Sequence, residues 1–516
     1  MGGLQVWLIG AAVLGTYLFA VLRTQQWGLG TRDNGSVAYP YLLEDVYDRS
    51  AYQKRGRWAV SGATPYLQEF SEYPQLTTWL MGLPYAFFDH GVERGTPYDT
   101  RDEARAFFVA AGIPKNEVEL VFRRVTAFGL VYEPAALESG TDHPMAEAWR
   151  GLDTVPGIDR EAAREHLLRL WRAYEKYYAE LGRNYARYAD IHHVLMAGLF
   201  ALLLALVIAN LRLLGAPPAL ALLLLLPGGL YFGFNRHDLP VTMLVALAVH
   251  LQLRGRYLAA GFALGFAVMT KWYPLVLVPL FLSHGYWSAR LGVAAMSAQA
   301  ALARQVLLPG IAAALVIVSV LAVTFVWHGG GVPAVTAVFE WHRSVRVPNH
   351  ASLLVILTNP AAWGWWPESI RDNLSTWFQA LALLPPLGLA LLPLRSRAAW
   401  LEAAILATCG MVIFSKFFSP QWVLWIVALA LLRARERPVY LALVVALQVA
   451  IYVQFPLTWY AGGAETGVID DGGRFWLATS TRVVLLFAFQ AVAAFGLVRA
   501  LRMAPAPAPS TAAAAG

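Results

Sequence analysis

Long apolar stretches recur along this chain, separated by short connectors that hold many of its arginines. Stretches of spanning length, with tilts and short breaks allowed, fall at residues 4–22, 191–211, 219–234, 239–253, 257–270, 272–283, 305–327, 377–394, 398–415, 420–432, 438–456 and 475–498. This pattern predicts an all-α polytopic membrane protein with about 12 transmembrane helices. The first stretch has no charged side chain ahead of it and is long for a signal-peptide core, so it reads as a retained helix.

The connectors predict orientation. Arg212, then Arg254 and Arg256, then Arg290 and Arg304, then Arg395 and Arg397, then Arg433, Arg435 and Arg437, then Arg499 and Arg502 mark every second turn. Cytoplasmic loops are expected to be basic, which puts both termini in the cytoplasm and the alternate connectors outside. The chain then divides into a first helix (1–30), a long outer segment (31–190), a helical bundle (191–502) with a second large outer loop (328–376), and an Ala/Pro-rich tail (503–516) expected to be disordered.

Within the outer segment, Thr100 with Asp102 and Glu103 reads as a helix start. Farther on, Leu167, Trp171, Tyr174, Tyr178, Leu181, Tyr185 and Tyr188 alternate at spacings of three and four, one helical stripe that runs into the second span. The stripe is expected to pack on the rest of the loop or to lie at headgroup depth.

Composition agrees with the pattern. The 516 residues are 58% hydrophobic and 14% charged, with a mean hydropathy of +0.50, too apolar for a water-exposed globular surface. A net charge of +7 raises nucleic acid as a partner, but the basic residues sit in small clusters between apolar stretches, which is a topology signal. The single cysteine, Cys409, excludes an intramolecular disulfide and a thiolate metal cluster.

Candidate chemistry belongs where ionisable residues stand at the predicted outer helix ends. Asp48 follows the first span, and Glu72-Tyr73-Pro74 precedes an aromatic segment, 76–88, suited to the membrane interface. Asp48 can act as a general base, or simply pair with Arg49 or Arg55 on a solvated loop. Lys271 and Lys416 stand beside aromatics on the side where topology does not call for cations, and a phosphate at headgroup depth accounts for them as well as snorkelling does. His342, Arg343, Arg346 and His350 crowd a further outer loop, as either a phosphate-binding set or a solvated basic loop. Ligand spacing for a metal is absent there.

These residues bear a likeness to a known family. Asp48, Tyr52, Gly62, Pro65-Tyr66 and Glu72-Tyr73-Pro74 resemble the first-loop pattern of the membrane glycosyltransferases of the GT-C superfamily, most closely glycosyltransferase family 87, the polyprenol-phosphate-mannose-dependent mannosyltransferases. Gln75 stands where that family's motif has a second proline. Arg236-His237-Asp238-Leu239-Pro240, Arg254-Gly255-Arg256, Ala260-Gly261 and Thr270-Lys271-Trp272-Tyr273-Pro274 are similar to its central helices. Ser419-Pro420-Gln421-Trp422 with Leu424-Trp425, and the run from Arg346 to Ser352, resemble later motifs. Residues 90–190 are not covered and look like an inserted outer domain.

The resemblance implies a GT-C-like bundle in the plasma (bacterial cytoplasmic) membrane, with a large helical first extracytoplasmic loop. It implies inverting transfer of a sugar, mannose by the family's habit, from a polyprenyl-phosphate donor to a hydroxyl of a glycolipid, glycan or other acceptor. Asp48 becomes the expected base, with Lys271, Lys416, His342 and Arg346 stabilising the leaving phosphate and Gln421 adding a hydrogen bond. Asp238, Tyr52, Glu72, Tyr73, Arg236 and Trp422 become acceptor-side or supporting residues. The scheme requires no metal or other cofactor, and nucleic acid is not an expected partner. Two alternatives stand beside it: a secondary transporter or lipid-linked-sugar flippase, and a ligase or polymerase of lipid-linked glycans.

Overall fold

The computed structural model describes residues 2–26, 42–43, 45–63, 66, 68, 71, 73–95, 97–114, 118, 122, 158–291, 297–327, 330–340, 351–359, 365–459 and 473–503. Every regular element among them is helical. Six helices are long and apolar enough to cross a membrane, or seven if the pair Pro218–Leu225 and Pro227–Asn235, bent by 68°, forms one span. Three shorter apolar helices join them: Asp238–Leu253, Tyr257–Thr270 and Pro420–Leu431. Each apolar stretch of the sequence lies largely on helix, but several are shorter than a bilayer. Asp238–Leu253, with 16 residues, reaches only about 24 Å against a hydrocarbon core of about 30 Å. Pro227, Pro274 and Pro420 begin or interrupt these segments, because proline removes a ladder donor and fits only the first turn.

The longest element is a 54-residue helix, Arg160–Leu213. Asp159 caps it by accepting from the Glu161 and Ala162 amides, Arg212 favours its carboxyl end, and Gly215 at φ 65° lets the chain leave in the left-handed conformation. The aromatic stripe keeps one face of this helix covered. Leu167, Trp171 and Tyr174 are buried with Ala104, Phe108, Ile113, Val118 and Phe122 in a lobe with a core of its own. The helix Tyr98–Ala110 supplies part of that lobe; it starts two residues before Thr100, so Asp102 bonds Gln68 and Arg105 and does not act at the start.

Two close-packed seams position the segment before the long helix and the bundle after it. A Cβ on Gly56 would lie 2.1 Å from the Met81 carbonyl oxygen, so glycine alone lets Val46–Gly56 sit against Gln75–Gly82. Likewise Gly261 meets the Pro309 backbone, joining Tyr257–Thr270 to Ala303–Val326 as small residues commonly do between membrane helices.

The bundle has two chemically different ends. Asp238–Leu253 runs from Asp238 to Arg254, and Tyr257–Thr270 returns from Arg256 to Lys271. Arg397–Phe414 leads towards Lys416, and Pro420–Leu431 leads back to Arg433. Asp238, Lys271 and Gln421 therefore share one end. At the other, buried Glu402 accepts from Arg433 Nε (3.1 Å), Arg437 Nε (2.9 Å) and Tyr440 Oη (2.6 Å).

Candidate active site

The site is built on a break between two apolar helices. Pro227–Asn235 ends at Asn235, Arg236 is extended, and Asp238–Leu253 begins two residues later. Asn235 anchors the break by donating to the Leu43 and Tyr231 carbonyls (both 2.9 Å) and accepting from the Asp45 amide (2.9 Å). Asp45 then caps Val46–Gly56, its carboxylate accepting from the Asp48 amide at 3.1 Å. Asp48 stands in the first turn of that helix, where a negative charge is favoured.

Arg236 is paired with both Asp45 and Asp48, and its guanidinium lies 5.1 Å from the centre of the Phe455 ring. Asp48 thus pairs across the fold with Arg236, not with its sequence neighbours Arg49 or Arg55. Arg49 is turned to His193 (2.6 Å) and the Tyr185 hydroxyl (2.8 Å), and Arg55 lies over the Tyr73 ring. The Asp45 and Asp238 side chains are 0% and 1% exposed, whereas Asp48 keeps 17% exposure. Of the three it is the carboxylate that reaches the surface.

Lys271 Nζ lies 3.4 Å from the Asp238 carboxylate and 4.2 Å from the centre of the Tyr73 ring, and Gln421 faces the same carboxylate. Tyr73 stands edge-on to Tyr52, 6.0 Å between ring centres, and Tyr52 stands edge-on to His237 at 4.6 Å. Burial, and then the facing Tyr73 and Asp238, push the Tyr52 hydroxyl well above its ordinary range, so it remains a phenol and does not serve as a base. Trp422 stacks on Trp425, which stacks on Tyr273 at 3.7 Å, forming an apolar wall beside Gln421.

Asp48, Tyr52, Tyr73, Arg236, Asp238, Lys271 and Gln421 are therefore brought together at one end of the bundle. Trp422 belongs to the wall, and Lys416 lies partly exposed in the turn that leads to it. Glu72, His342 and Arg346 fall outside the described residues. Comparison with protein-family models, with curated proteins and with solved structures finds no match for this chain. Among the described residues no three His, Cys, Asp or Glu side chains converge in a way that could hold a metal ion.

Sequence reasoning missed several residues here. His192 and His237 are buried with ring centres 5.1 Å apart, and neither ring nitrogen of either has a hydrogen-bond partner. Asp45 carries no sequence signal that separates it from its neighbours, yet it is the fully buried member of the Arg236 pair. Arg482 did carry a signal, being an arginine inside a predicted span. Chemically, the array offers one reachable carboxylate to accept a proton and cations beside it to hold an anion.

Proposed function

We propose that this chain is an inverting membrane glycosyltransferase that moves a sugar, mannose by resemblance, from a polyprenyl-phosphate donor to an acceptor hydroxyl. The observation that carries the reading is the partial exposure of Asp48 amid buried, ion-paired groups: a reachable base next to Arg236 and the Lys271–Asp238 pair. In this scheme the acceptor hydroxyl gives its proton to an Asp48 oxygen while its own oxygen attacks the anomeric carbon. The bond from that carbon to the phosphate oxygen breaks, and the phosphate leaves with the electron pair. Lys271 and Lys416 offset its charge, and His342 and Arg346 are assigned the same role on resemblance. Asp238, held by Lys271, orients the acceptor side with Tyr52 and Tyr73.

The same reading makes the helices a GT-C-like bundle of about 12 spans, termini cytoplasmic, with the Asp48 end facing away from the cytoplasm. The arginine-rich opposite end supports that orientation. The test is to incubate purified protein with a panel of polyprenyl-phosphate sugars and identify the glycosylated product. Asp48→Asn is expected to lower turnover by roughly 100-fold or more, within the range of a lost general base. Full activity in D48N removes the assignment, and release of a pyrophosphate carrier points to a glycan ligase or polymerase.

A further inference from the structure

Arg482 lies on Arg474–Met503, eight residues into a helix that is apolar and long enough to cross a membrane. Its residue is 1% exposed. The guanidinium donates to Gln454 Oε1 at 3.2 Å and to the Ala351 carbonyl, and it lies over the Phe418 ring at 3.5 Å. Both acceptors are neutral, and among the described residues Nε has no hydrogen-bond partner. Among the described residues no carboxylate pairs with it.

That sets it apart from three other buried arginines. Arg57 faces Glu180, Arg433 faces Glu402, and Arg236 faces two aspartates. A guanidinium sunk among apolar helices without an anion bears a desolvation penalty that two neutral acceptors and one aromatic face only partly offset. Its position is equally particular. Gln454 precedes Phe455, whose ring lies under Arg236, and Phe418 follows Lys416 by two residues and packs edge-on to Trp422. Arg482 therefore stands just across the Gln454–Phe455 segment from the Asp48–Arg236 pair, at the same end of the bundle.

We infer that Arg482 is an anion-binding residue of this site, one that holds the phosphate of a lipid-borne phosphate ester. A phosphate oxygen takes over the donor now given to the Ala351 carbonyl and engages Nε as well, the two-pronged geometry for which guanidinium is suited. Lys271 divides its charge between Asp238 and the leaving phosphate, whereas Arg482 faces no carboxylate among the described residues. The identity of the anion as a polyprenyl phosphate rests on the glycosyl-transfer reading above; the existence of the anion site does not.

The experiment measures the thermal unfolding midpoint of the full chain in detergent against rising decaprenyl phosphate, with phosphatidylglycerol and inorganic phosphate as parallel probes. Wild-type protein is expected to be stabilised by decaprenyl phosphate at far lower concentration than by either of the others. Arg482→Gln is expected to raise its dissociation constant about tenfold or more, as loss of a charge-assisted pair does, and Glu93→Gln, in an exposed ion pair with Lys176, to leave it unchanged. An unchanged dissociation constant in R482Q, with or without a lower unliganded midpoint, means the side chain only ties Ala351 to the helix, and overturns this inference while leaving the transfer reading intact. If R482Q does not fold, Arg482→Lys replaces it: binding several-fold weaker is expected, and binding equal to wild type overturns the inference. Equal response to phosphatidylglycerol assigns Arg482 to ordinary headgroups and overturns it too, and no response to any probe removes the donor reading along with it.

Discussion

Arg236 joins two carboxylates that come from another part of the chain, and its removal leaves Asp45 and Asp48 facing each other with no shared cation. Breaking a buried pair from one side costs about 3–5 kcal/mol, far more than an exposed pair of the same residues. Arg236→Gln is therefore expected to lower stability by about 3 kcal/mol in detergent unfolding, and adding Asp45→Asn is expected to recover part of that loss, a coupling that independent sites do not show. At this scale the sequence was informative where a residue contradicted its surroundings. Asp48 and Lys271 stood out as charges at the mouths of apolar stretches, Asp238 entered through the resemblance, and the three converge. Asp45 and the histidine pair did not stand out, because their isolation from water arises from contacts between segments distant in the chain, 190 residues for Asp45 and Asn235, which no local pattern encodes.

Val46–Gly56 carries both Asp48 and Tyr52, so whatever seats that helix seats the chemistry. On one side is the glycine seam with Gln75–Gly82, and on the other are buried Arg57 and Glu180, paired at 2.8 Å. Gly56→Val puts a side chain against the Met81 backbone; a loss of about 2 kcal/mol is expected from such overpacking, with the proposed transferase activity falling further than stability accounts for. Gly182→Ala, on the exposed face of the long helix with nothing within 4 Å, is the control and should stabilise by about 0.5–1 kcal/mol. Glu180→Gln strands the Arg57 charge and should lower the unfolding free energy by about 3 kcal/mol. Glu93→Gln, which breaks an ion pair to Lys176 whose side chains are 57% and 58% exposed, should change it by less than about 1 kcal/mol. Helix existence was legible from periodicity, and the stripe from Leu167 to Tyr188 was read as one continuous helix. Lengths were less so: apolar runs merge across prolines in the sequence, while the backbone has to break there.

Across the whole molecule, the alternation of basic and non-basic connectors corresponds to two physical ends of the bundle, one with Asp48 and Lys271, the other with Glu402 and its arginines. With Cys409→Ala as background, Asp89→Cys should react with a membrane-impermeant maleimide on intact cells, and Arg254→Cys only after permeabilisation; the reverse pattern inverts the proposed orientation. The end-to-end polarity was visible in the sequence because charge placement is dictated locally at each loop. What could not be seen was which residues would pack against the aromatic stripe to form the lobe. The helix from Arg160 to Leu213 is unbroken and extends about 80 Å at ~1.5 Å per residue, so the lobe is mounted on a mast, not on a tether. A rigid fusion or an antibody fragment attached near residue 160 would then report the attitude of the membrane bundle directly, serving as a fiducial for single-particle imaging without touching the chemistry at the mast's foot.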